Sequence, residues 1–125
     1  MTDTVLRIGG ASGFWGDAAR ATPQLLSVVG LDYIVYDYLA EITMSIMARA
    51  RAKDELKGYA SDFVSAAMKP NLSVIAERGI KVISNAGGVN PEACARALRQ
   101  VIAEQGLSLT VACVVGDDLV ARKES

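Results

Sequence analysis

Apolar residues along the chain follow two rhythms: short runs of β-branched residues, and longer stretches in which they recur every three or four positions. The short runs predict strands at residues 4–8, 32–36, around Val82 and Ile83, and at 107–115. The longer rhythm predicts helices over 17–29, 38–52, 62–68, 72–77 and 91–104. Pro23 inside the first argues for a late start or a break. Leu39, Ile42, Ile46 and Met47 form the expected inward face of the second. Asn71 is expected to cap the fourth and Gly79 to close it. Ala93, Ala97, Leu98, Val101 and Ile102 form the inward face of the last, and a polar tail follows at 121–125.

Strand, turn and helix repeat, which predicts a parallel sheet joined by right-handed crossovers. The expected fold is one α/β domain over 1–125, a doubly wound, Rossmann-like three-layer domain with a parallel sheet of about four strands. No helix follows the last strand, so the chain reads as the first part of a longer polypeptide. An apolar edge there predicts a homo-oligomer or contact with a missing carboxyl-terminal domain.

The stretch 81–91, KVISNAGGVNP, is the pivot. An apolar strand runs into a glycine turn and then into a helix with Asn90 as N-cap and Pro91 at the first helical position. Ligands bind in open α/β sheets at such carboxyl ends. Other predicted strands also end in polar groups: Ser12 to Asp17, Asp37 with Glu41, and Asp117-Asp118. Four such loops predict one crevice on one edge of the sheet.

Composition narrows the classes. With 125 residues, 51% apolar, and 13 basic against 14 acidic residues, the chain resembles neither a disordered nor a nucleic-acid-binding protein. Arg49, Arg51 and Lys53 read as a solvated helix face. No apolar run approaches the ~20 residues of a membrane span, and nothing reads as a signal peptide. Cys94 and Cys113 read as reduced, buried thiols in a cytoplasmic protein. Histidine is absent, which removes Ser-His-Asp and Cys-His catalysis and any histidine-based zinc site from this chain.

In GASGFWGD, residues 10–17, the glycines are three apart, which matches neither the NAD-type dinucleotide fingerprint nor a P-loop. Ser12, Gly13 and the backbone around them can hold an anionic group near a helix start. Phe14 and Trp15 either plug the core or line a pocket for an apolar substrate. Asp37 and Glu41, four residues apart at a helix start, suit paired acid–base work, with Asp17 nearby. The alternative is that Asp37 caps the helix and Glu41 supports its first turn. Asn85 and Asn90 can orient a carbonyl or carboxylate beside a nest made by the Gly87 and Gly88 amides. Asp117 and Asp118 are either candidate ligands for Mg²⁺ or solvated turn residues.

Taken together, SGFWGD at 12–17, DYLAE at 37–41, NAGGVNP at 85–91 and GDD at 116–118 resemble the amino-terminal part of the acyclic terpene utilisation family, AtuA. Gly58-Tyr59-Ala60 and Asp62-Phe63 fit the same pattern. The resemblance runs from about Ile8 to Asp118, while family members are several-fold longer. It implies a cytoplasmic role in bacterial breakdown of acyclic terpenes such as citronellol and geraniol through acyl-CoA intermediates. No catalytic residue carries over, so the site residues above rest on the strand-end rule.

Two functions are then expected. One is an enzyme domain acting on an acyl-CoA or branched carboxylic intermediate, with lyase or hydratase chemistry. The other is a non-catalytic binding or scaffold domain for a small-molecule ligand or a partner subunit.

Overall fold

β2 (Tyr33–Tyr36) is the centre of a three-stranded parallel sheet, with β1 (Ile8–Ser12) on one side and β3 (Lys81–Ser84) on the other. The computed structural model describes residues 3–123; Glu124 and Ser125 of the expected polar tail lie outside them. Pairing runs from Ile8–Tyr33–Lys81 at the amino end to Ser12–Tyr36–Ser84 at the carboxyl end, with a bulge between Gly10 and Ser12. Helices α1 (Ala18–Leu26), α2 (Glu41–Lys53), α3 (Leu72–Arg78) and α4 (Pro91–Glu104), with a π-helical turn at Phe63–Met68, supply the connections.

Successive side chains on a strand point to opposite faces. Gly9, Ala11, Ile34 and Tyr36 are buried on one face, whereas Ile8, Gly10, Val35 and Ile83 are exposed on the other. Strand order 1-2-3 explains this. Both crossovers advance in the same direction, so right-handed connections place their helices on the same face. α1 and α4 both pack against the π-helical turn. The α/β, Rossmann-like class stands, but among the described residues the second helical layer of a doubly wound sheet is missing. Ile8 at 62% and Ile83 at 56% exposure mark the open face.

The covered face holds the core. Tyr36 and Tyr38 stack at 6.2 Å, and the Phe63 ring meets them edge-on at 5.2 and 5.7 Å. Each such pair adds roughly 0.5–1.5 kcal/mol beyond the area it buries. Thr22 on α1 is wholly buried; its hydroxyl donates to the Ala18 carbonyl and accepts from the Tyr36 phenol. Gly9 lets α1 settle onto β1, because a Cβ there would stand 2.8 Å from the Leu25 side chain.

Four expectations are corrected. The first strand lies four residues later than predicted, because the glycine-rich IGGAS segment is itself the strand. The predicted fourth strand is not formed. Residues 107–114 do alternate between half-buried and exposed positions, but they form no ladder with β3, and two of their backbone groups bond α4. Leu107 N–H bonds the Ile102 carbonyl, and Arg99 donates to the Val111 carbonyl at 2.7 Å. A cavity of about 790 Å³ lies among β3, α4 and this segment. Finally, α2 begins at Glu41 and buries only Met47, leaving Ile42 70% and Ile46 46% exposed. Pro23 neither delays nor breaks α1; it sits inside the helix at an exposed position.

Candidate functional site

The carboxyl ends of the three strands are tied together by polar side chains. β1 delivers Ser12, whose hydroxyl accepts from Asp37 N–H at 3.0 Å and donates to the Asp37 carbonyl at 3.1 Å. The loop after β2 delivers Asp37, and its Oδ1 accepts from the Asn85 amide at 2.8 Å. Asn85 follows β3, and its Oδ1 accepts from Tyr38 N–H at 2.8 Å. Asn85 therefore pins the β2 turn to the β3 turn and fixes one carboxylate oxygen of Asp37. Leu39 N–H bonds that same oxygen at 3.4 Å. Among the described residues the other oxygen, Oδ2, has no hydrogen-bond partner. Asp37 and Asn85 are both exposed.

Asp37 does not cap α2, since Ala40 occupies that position and the Thr43 hydroxyl accepts from Ala40 N–H at 2.6 Å. Asp37 thus stands on the loop and Glu41 on the helix, and the pair does not share one helical face. Glu41 lies exposed at the first helical position, where the helix dipole favours a carboxylate.

The loop after β1 folds over the same edge. Asp17 occupies the N-cap position of α1 without a side-chain cap bond to the helix; its carboxylate accepts from Gly13 N–H at 3.3 Å. Phe14 is 63% exposed, while the Trp15 indole N–H donates to Asp62 at 2.5 Å. Trp15 thereby latches the loop to the start of the π-helical turn, a feature often found at functional positions. Behind it, the Tyr38 hydroxyl is fully buried and has no hydrogen-bond partner among the described residues. Burial, reinforced by the Asp62 carboxylate, pushes its ionisation well above that of an ordinary phenol. Sequence reasoning missed Tyr38 and Asp62 as parts of this edge. DYLAE and the Asp62-Phe63 pair were visible, but only the fold brings them together.

The turn after β3 is mostly committed to packing. Gly88 N–H bonds the Asn85 carbonyl, Val89 N–H bonds the Gly58 carbonyl at 3.0 Å, and Ala60 N–H bonds the Ala86 carbonyl at 2.8 Å. Asn90 caps α4 through Ala93 N–H and donates to the Glu55 and Lys57 carbonyls at 2.8 and 2.9 Å. Of the expected nest, the Gly88 amide is thus already used, and Asn90 serves as cap and clamp.

Asp117 and Asp118 are exposed. Asp118 pairs with Arg51 at 2.9 Å, and the guanidinium holds its carboxyl below the usual range. Arg51 is therefore half-buried and paired, unlike the solvated cation expected. Among the described residues no group of three or more metal-ligating side chains is arranged to hold a metal ion. Cys94 is buried on α4, and burial pushes its thiol up to about 12; Cys113 is only half-buried. No helix among the described residues is long and apolar enough to cross a membrane.

The family model described as acyclic terpene utilisation family protein AtuA matches residues 6–125. No curated protein and no solved structure matches the chain.

Proposed function

The chain belongs to the acyclic terpene utilisation family, and from that premise we propose that it is a domain acting on an acyl-CoA or branched carboxylic intermediate of acyclic terpene breakdown. One observation carries the reading. The polar strand-end cluster opens at Asn85 and Gly87 onto the apolar cavity beside β3, whose walls include Leu39, Ile83, Val111 and Val114. A branched chain fits such walls, and a volume of this size is ordinary for a small-molecule site.

In this reading Asp37, held by Ser12 and Asn85, is the general base through its unbonded oxygen. Glu41 is the partner acid and Asp17 the reserve carboxylate of the edge. Ser12, Gly13 and the Gly87 amide bind carbonyl or phosphate oxygens, and Phe14 covers the apolar chain. The residue set suits lyase or hydratase chemistry, which needs proton transfer and no redox group. Such catabolism places the domain in the cytoplasm. The test is turnover of branched acyl-CoAs by Asp37→Asn and Glu41→Gln. Loss of turnover with ligand affinity retained supports the reading; unchanged turnover contradicts it.

A second reading, a non-catalytic ligand-binding or scaffold domain, is favoured by the open sheet face with exposed Ile8, Val35 and Ile83. A face of this kind suits contact with a second copy or a further domain. Under it, the same substitutions shift affinity or assembly, and no turnover is found.

A further inference from the structure

A second cavity, of about 650 Å³, lies across the Gly88–Pro91 turn from the first, between α2, the start of α4 and residues 115–120. Ser12, Asp37 and Asn85 do not line it, so this cavity is separate from the strand-end cluster. Its walls are apolar: Met44 and Ala48 from α2, Val89 and Pro91 from the turn, Val115 and Leu119 from the last segment. Val115 and Leu119 stay 56% and 60% exposed, an apolar lip over an open space.

Among the described residues one cation, Arg51, lines this space. Arg51 is held in place before any ligand arrives. Its stem packs where a Cβ on Gly58 would stand 3.0 Å away, and Nη1 donates to the Val89 carbonyl. Nη2 donates to the Asp118 carboxylate at 2.9 Å. That pair is half-exposed, with side chains at 39% and 49%, so exchange for another carboxylate is cheap. The positive end of α4 opens on the same cavity at Asn90 and Pro91 and also favours an anion. Glu92 and Asp117 also line the cavity, and because both are exposed, solvent screens their charges.

We propose that this cavity binds an apolar-chain monocarboxylate, whose head group replaces Asp118 on the Arg51 guanidinium while its chain lies on Met44, Ala48, Val89 and Val115. Asp118 is then an internal stand-in for the ligand. An alcohol of equal length lacks the charge that the guanidinium selects.

Isothermal titration of the full chain with sodium octanoate, with octan-1-ol as the control, tests this. Octanoate is expected to bind about tenfold tighter than octanol, the difference one charge-assisted pair supplies. Asp118→Asn, which removes the competitor, is expected to tighten octanoate at least about threefold and leave octanol unchanged. Arg51→Gln is expected to abolish the preference for the acid. Because Arg51 also braces the turn, the Asp118→Asn result decides the matter if Arg51→Gln fails to fold. Equal affinity for acid and alcohol, no tightening in Asp118→Asn, or no heat of binding up to about 10 mM overturns the proposal.

Discussion

Replacing Gly88 by alanine strikes the crossing that sets both cavities and the clamp of Asn90. Two separable penalties are expected there. Gly88 has φ +55°, a left-handed conformation that costs an L-residue roughly 1–2 kcal/mol. The added Cβ would also collide with Met47 Sδ and stand 2.7 Å from the Gly58 carbonyl oxygen. Met47 is 1% exposed, and the carbonyl is fixed by its bond to Val89 N–H, so neither can move aside freely. Overpacking of this kind costs about 1–3 kcal/mol. The sum is about 2–5 kcal/mol, a large part of the roughly 5–15 kcal/mol that holds a domain folded.

Two further glycines divide the penalties. Gly79 has φ +64° with nothing within 4 Å, so Gly79→Ala bears only the backbone strain. Part of that is offset by about 0.4–1 kcal/mol of lost unfolded-state entropy. Gly87, without a positive φ, would place its Cβ 2.8 Å from Pro91 Cα and bears only the clash. Urea unfolding of all three variants, followed by circular dichroism, reads these directly. Gly88→Ala is expected to lose about 2 kcal/mol more than Gly79→Ala, with unchanged m. Near 4 °C in Tm per kcal/mol is the scale for this chain length, so the gap is roughly 8 °C. Equal losses in Gly79→Ala and Gly88→Ala would refute the tight crossing.

Thr22→Val leaves the buried Tyr36 phenol unpaired and is expected to cost about 1–3 kcal/mol, while adding Tyr36→Phe recovers most of it; a double-mutant cycle in urea measures the coupling. Asn90→Ala removes the α4 cap and the bonds to the Glu55 and Lys57 carbonyls, an expected loss of about 1–3 kcal/mol in the same assay. Alkaline stability should fall from about pH 9, because the unfolded Cys94 thiol gives up its proton near 9 while burial keeps it bound in the fold until about 12. The unfolded chain then binds fewer protons, so stability drops by about 1.4 kcal/mol per pH unit per group, and Cys94→Ala flattens the limb between pH 9 and 10.

The sequence made α4 legible to the residue, because Asn90, Pro91 and a long amphipathic rhythm all agree. α3, between Asn71 and Gly79, was nearly as clear. Elements whose packing overrides local pattern were less legible. Gly9 to Ser12 read as a turn, yet Gly9 is what a strand needs where Leu25 approaches closely. Ile42 and Ile46 carry a helical rhythm, but α2 leans on the Gly88 crossing through Met47 and leaves them outside. Residues 107–114 show the two-residue period of a strand, which fixes sidedness and not partner; they join no sheet ladder, and the Val111 carbonyl takes the Arg99 guanidinium of α4. The strand-end cluster was foreseen as residues, since Ser12, Asp37 and Asn85 end strands. Its wiring was not, because hydrogen bonds across 25 and 48 positions have no local signature.

The most direct measurement is a ¹H–¹⁵N correlation titration of the chain with a branched-chain acyl-CoA, repeated on Asn85→Ala. Shifts are expected to concentrate at the amides of Ser12, Gly13, Asp37, Tyr38 and Gly87, and to be lost in the variant. Shifts confined to other surfaces, or identical shifts in Asn85→Ala, would contradict a ligand site at the strand ends.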